Sequence, residues 1–98
     1  MPDFDSAPSS HISRRVTVCN RRGLHARASA RFVQMAEQFD AEITVTKDDL
    51  AVCATSIMGL MMLAASDGQT VVLKATGHEA AQAVEALANL VTGKFGED

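Results

Sequence analysis

The stretch GLHARASARFVQMAEQ, residues 23–38, passes from a turn glycine straight into strong helix formers. Ser29, Phe32, Val33, Ala36 and then Phe39 recur at helical spacing, which predicts an amphipathic helix over Ala26–Gln38 with one face to bury. Small residues at Ala26, Ala28, Ser29 and Ala30 let its first turn approach neighbouring elements closely. His25 stands at the start of that helix. A helix start leaves backbone N–H groups without intrahelical partners and carries partial positive charge, so it attracts anions. Arg27 adds a full charge beside it. Positive potential favours neutral imidazole, which keeps a nucleophilic lone pair, the requirement for accepting a phosphoryl group.

The flanking segments say what this helix packs against. Ser13–Cys19 (SRRVTVC) alternates in part and is rich in Val and Thr, which predicts a strand, and Asn20–Gly23 turns the chain. Ala41–Thr46 predicts a second strand with Ile43 and Val45 on one side. Lys47, Asp48 and Asp49 supply turn chemistry before a short third strand, Leu50–Cys53, so the two form a hairpin. Ser56–Leu63 (SIMGLMML) opens on a capping residue and is apolar on nearly every side. So short a helix cannot bury all of Ile57, Met58, Leu60, Met61, Met62 and Leu63, and flexible thioethers left exposed suit a surface that meets more than one partner. After an Asp67–Gly68 turn, Gln69–Thr76 (QTVVLKAT) predicts a fourth strand. Thr76 and Glu79 have capping-box spacing ahead of a last helix, whose stripe of Ala80, Val84, Leu87 and Val91 runs to Thr92 before Gly93 ends it. The order strand-helix-strand-strand-short helix-strand-helix predicts an α+β domain in which helices cover one face of an antiparallel sheet.

Composition narrows the class of function. A chain of 98 residues that is 47% hydrophobic makes one domain, with a core built without Trp or Tyr. Residues 1–11 hold two prolines, three serines and two acids, so they are expected as a flexible tail that includes His11, leaving 12–98 as the domain. A net charge of −3 argues against a general nucleic-acid binder. Six of the nine basic residues, Arg14, Arg15, Arg21, Arg22, Arg27 and Arg31, are nonetheless expected to gather around the histidine, where they suit a phosphate or an acidic protein partner. Cys19 and Cys53 do not form a zinc pattern and sit in apolar stretches, so both are expected buried and reduced, and neither a metal nor a cofactor is expected. The first residues lack the basic and apolar regions of a secretory signal. The apolar run Ile57–Ala65 is about half the length of a membrane span, so a cytoplasmic protein without membrane insertion is expected.

Three segments in one register, GLHARASARFV, ATSIMGLMML and GKFGE, resemble the HPr family, the histidine phosphocarriers of the phosphoenolpyruvate-dependent phosphotransferase system. The resemblance runs from about residue 13 to the end of the chain. It implies an open-faced β-sandwich, a four-stranded antiparallel sheet covered on one face by three helices. It also implies that His25 accepts a phosphoryl group on Nδ1 from phosphorylated Enzyme I and passes it to a IIA-type domain, with Arg27 as the neighbour of the phosphate. Such a protein is a monomeric carrier, transiently phosphorylated, and not an enzyme. Ser56 matches the position that an HPr kinase/phosphorylase phosphorylates in many members. Arg22, Leu24 and Ala26 beside the histidine, with Ile57, Met58, Met61 and Met62, make up the expected partner surface. Ala28 departs from the pattern, since many members carry a proline there that stiffens the first helical turn.

Three other readings compete. An acylphosphatase-like enzyme would need a glycine-rich phosphate loop, and a ferredoxin-like metal module would need a CxxC pair; neither is present. A regulatory HPr-like protein, acting mainly by partner binding under control of Ser56 phosphorylation, would have no use for His25.

Overall fold

Strand alternation makes a sheet two-faced, and whichever face is apolar must be covered. The computed structural model describes residues 11–97. The chain runs β1 (His11–Thr17), α1 (Ala26–Ala36), β2 (Glu42–Lys47), β3 (Leu50–Cys53), α2 (Ile57–Met62), β4 (Thr70–Thr76) and α3 (Ala80–Thr92), followed by a 3-10 turn over Lys94–Gly96. All strand pairs are antiparallel and the sheet order is β1-β4-β2-β3, so β4 fills the gap between β1 and β2.

Register decides which face is apolar. Val16 lies opposite Val71, and Ile43 and Val45 lie opposite Ala75 and Leu73, and all six are buried. Glu42, Thr44, Lys74 and Thr76 on the other face are exposed. The sheet is therefore the open-faced sandwich anticipated from the sequence. Helix α3 lies across β1 and β4, α2 packs on β3, and α1 packs on both of these helices. Alanines at positions 80, 83 and 88 point inward from α3 and let it sit close to the sheet. Phe32, Leu60, Leu73, Leu87 and Phe95 are each no more than 1% exposed. Burial of side chains this large contributes about 1.5–3 kcal/mol apiece, so a core without Trp or Tyr suffices.

Several expectations need correction. β1 begins at His11, whose backbone pairs with Thr76, and ends at Thr17, two residues earlier at each end than the alternation suggested. The rest of the expected tail lies outside the described residues. Helix α1 stops at Ala36, and Phe39 packs on the core from beyond its end. No capping box opens α3: its N-cap is Glu79, not Thr76, and the Glu79 carboxylate accepts the Asp40 N–H at 2.7 Å from the loop between α1 and β2. Gly93 caps the end of α3 as expected, with φ −86, and the left-handed backbone begins at Lys94. Cys53 is exposed because β3 is an edge strand, and the Thr55 hydroxyl beside it at 3.1 Å holds its thiol below the usual range. Cys19 is half-buried, and both thiols are free.

Candidate functional site

The site begins with a close backbone approach at Gly23. Its φ is +65, and a Cβ there would stand 2.4 Å from the Ala65 carbonyl oxygen and 2.8 Å from Ser66 Cα, so only glycine fits. The approach lets the Leu24 N–H donate to Ala65 O at 2.9 Å, fastening the loop before α1 to the turn after α2. Asn20, fully buried, braces the same loop by donating from Nδ2 to Gly23 O at 2.9 Å.

This loop presents His25 as the N-cap of α1, in extended conformation (φ −77, ψ −179). Its carbonyl accepts the Ser29 N–H at 2.9 Å. Its Nδ1 accepts the Arg27 N–H at 3.2 Å, doing with a ring nitrogen what Ser or Asp oxygens do at other caps. On the other side of the ring, Nε2 lies 2.7 Å from Glu97 Oε2, with the two side chains only 16% and 18% exposed. These partners assign the tautomer: the hydrogen sits on Nε2, donated to the carboxylate, and the Nδ1 lone pair faces the positive end of α1.

Glu97 arrives by an unusual route. Lys94, Phe95 and Gly96 have φ of 60, 56 and 78, a run of left-handed backbone that non-glycine residues adopt only when something holds them. Phe95 is completely buried, and Arg31 Nη1 donates to its carbonyl at 2.9 Å. The reversed chain delivers Glu97 Oε1 to Asn20 Nδ2 at 3.0 Å. That hydrogen bond, aided by His25 and the Arg22 charge, holds the Glu97 carboxyl below its usual range despite partial burial.

Basic residues complete the site, though fewer than expected. A cavity of about 210 Å³ is lined by Arg21, Arg22, Arg27 and Glu97. Arg31 is turned to the chain end, and Arg14 and Arg15 belong to β1, opposite Leu73 and Val72. A roomier depression of about 320 Å³ at the β2–β3 end of the sheet, lined by Glu42, Thr44, Cys53 and Thr55 among others, contains none of the candidate residues. The paired ring nitrogens of His25, and not cavity size, mark the site.

The second cluster lies on α2. Ser56 is its N-cap, with Oγ accepting the Gly59 N–H at 2.9 Å. Leu60 and Leu63 face the core, while Met58 and Met62 are 71% and 65% exposed and Ile57 and Met61 about two-fifths exposed. Arg22, Ala26 and Arg27 are exposed as well. Leu24, expected on the partner surface, is instead a core residue, drawn inward by its hydrogen bond to Ala65. Ala28 is fully buried in a regular first turn, and the loop before it is held by Gly23, Asn20 and the His25 cap.

A family model described as PTS HPr component phosphorylation site matches residues 12–93. The chain belongs to the HPr family. Among its relatives, phosphocarrier protein HPr of Neisseria meningitidis serogroup A is 48% identical over 86 residues, covering 88% of this chain and 97% of that protein. Phosphocarrier protein NPr of Shewanella violacea is 42% identical over 88% of this chain and 94% of its own length. The crystal structure of HPr-C-His from Thermoanaerobacter tengcongensis superposes with a TM-score of 0.85 at 44% identity, covering 89% of this chain and 98% of that one. Among the described residues, no helix is long and apolar enough to cross a membrane.

Asn20, Phe95 and Glu97 were not among the candidates read from the sequence. GKFGE stood out there only as part of the family resemblance, and nothing local in it points at a histidine 72 residues away.

Proposed function

We propose that this chain is a phosphocarrier of the phosphotransferase system, accepting a phosphoryl group on His25 from phosphorylated Enzyme I and donating it to a IIA-type domain. The observation that carries this reading is the state of the His25 ring: Nε2 is committed to Glu97, and Nδ1 keeps its lone pair at the N-terminus of an 11-residue helix. A phosphoryl group bonded to Nδ1 would meet the first-turn N–H groups and the positive end of the helix, with Arg27 free to offer paired N–H donors to its oxygens. Because the group is passed on, the chain acts as a carrier and not as an enzyme. This use of His25 also favours the carrier over a purely regulatory HPr-like role.

In the same reading, the exposed side chains of α2 and the arginines beside His25 receive both donor and acceptor proteins, and Ser56 controls that docking. A phosphoserine at this cap would place nearly two negative charges beside Ile57 and Met58, adding desolvation and like-charge penalties to any acidic partner's approach.

Incubation with phosphoenolpyruvate and Enzyme I is expected to add one acid-labile, alkali-stable phosphate, and His25→Ala to abolish it; normal labelling of that variant would overturn the carrier assignment. With ATP and HPr kinase/phosphorylase, an acid-stable phosphate is expected that disappears in Ser56→Ala. Retention of the label there would move the control point to another residue.

A further inference from the structure

Resting on the carrier reading, we propose that Glu97 is a positioning residue that keeps the proton on Nε2 of His25 through phosphoryl transfer, so that the ring departs from phosphorus as neutral imidazole. The inference starts from electron bookkeeping at the ring. In the free chain the hydrogen is on Nε2 and the lone pair on Nδ1. When that pair attacks the phosphorus carried by Enzyme I, the bond to the donor breaks and its electron pair leaves with the donor, so that both His25 nitrogens carry a substituent and the ring takes on positive charge. It then either keeps the Nε2 proton, paired with a carboxylate 2.7 Å away, or releases it to water.

The choice governs the next step. Breaking the P–Nδ1 bond returns the electron pair to Nδ1. With Nε2 protonated the product is neutral imidazole; without that proton it is an imidazolide anion, a far poorer leaving group. A carboxylate fixed at Nε2 therefore keeps the phosphorylated ring reactive toward the acceptor.

Two features of the fold serve this role. Glu97 cannot drift from the ring, because its other oxygen is held by buried Asn20 and its backbone follows a turn pinned by Phe95 and Arg31. Glu97 also lies within a cationic cavity. The cavity that Glu97 lines is also lined by three arginines, Arg21, Arg22 and Arg27, with Lys94 on the adjoining turn. Glu97 is the one anion lining that cavity among the described residues.

The test compares the full chain with Glu97→Gln, which keeps the shape of the side chain and an oxygen for Asn20. Both are phosphorylated with phosphoenolpyruvate and Enzyme I. The His25 ring nitrogens are followed by NMR against pH, together with hydrolysis of the phosphohistidine and transfer to a IIA protein. Both proteins should take up the label. Phosphorylated Glu97→Gln should lose its ring proton about one pH unit lower, its hydrolysis profile should move with it, and transfer at neutral pH should fall about three- to tenfold. A merely structural role would leave the titration and the pH profile in place. Normal labelling with both unchanged overturns the inference. Failure of the unmodified chain to be labelled overturns the carrier reading beneath it. In the unphosphorylated chain, which needs no phosphoryl chemistry, the nitrogens should report the Nε2–H tautomer; an Nδ1–H tautomer would also overturn the inference.

Discussion

Replacing Gly23 by alanine tests how far the site depends on one close backbone approach. At φ +65 an alanine loses about 1–2 kcal/mol to left-handed strain alone. Its Cβ would stand 2.4 Å from Ala65 O, whereas ordinary contact begins at 3.4 Å, so the two backbones must part by about 1 Å. The Leu24 N–H to Ala65 O bond, now 2.9 Å, cannot survive that movement and forfeits about 1 kcal/mol more. Gly68 supplies the control. It too has positive φ, +92, but an added Cβ there meets nothing within 4 Å, so Gly68→Ala should cost only the strain, about 1–2 kcal/mol. Urea unfolding of both variants, compared at equal slope, should place Gly23→Ala lower by about 1 kcal/mol. Labelling of His25 should also slow in Gly23→Ala, because the His25 N–H donates to Gly23 O at 2.9 Å and the ring follows the loop. Equal destabilisation of the two variants would refute the claim that contact with Ala65, beyond backbone conformation, dictates the residue.

Three further outcomes are expected. Phe95→Ala should cost about 3–5 kcal/mol in the same assay and release Glu97 from His25, seen as a change in the ring nitrogen shifts; a loss under about 1 kcal/mol would mean the turn is anchored elsewhere. The pair Met58→Lys and Met62→Lys should leave unfolding free energy within about 0.5 kcal/mol of the parent while lowering phosphoryl transfer, and a large loss of stability would place the two side chains in the core. Because the Glu97 carboxyl titrates below its usual range in the folded chain, its stabilisation is complete above that range and disappears as pH falls through the folded value. The stability advantage of the parent over Glu97→Gln should therefore be full at neutral pH and shrink on acidification, and an advantage that persists undiminished to about pH 2 would refute the assignment.

Much of this architecture was readable because it is local. Alternation in QTVVLKAT marks β4, spacing of Phe32, Val33 and Ala36 marks the buried face of α1, and Ser56 marks the start of α2. Each reflects backbone preference and side-chain periodicity within a few residues, so neighbours in sequence suffice. The exposure of Met58 and Met62 was also legible, since a six-residue helix has too little buried face for its apolar content. The place of His25 at the start of α1 was legible for the same reason: a helix start is a local event with a local electrostatic consequence.

The features that could not be read locally involve residues far apart in the chain or competing for one partner. Glu79 was spaced for a capping box, but Asp40, brought alongside by the sheet, took its carboxylate. Cys53 looked like a core cysteine, but β3 ended up at the edge of the sheet. Leu24 lay next to the histidine yet turned inward, because Gly23 brings the loop against Ala65. Residues 23–27 are enough to put a histidine at the positive end of a helix. Which of its nitrogens holds the proton depended on Glu97, 72 residues away, and no periodicity or propensity encodes a contact that exists only after Phe95 has found the core.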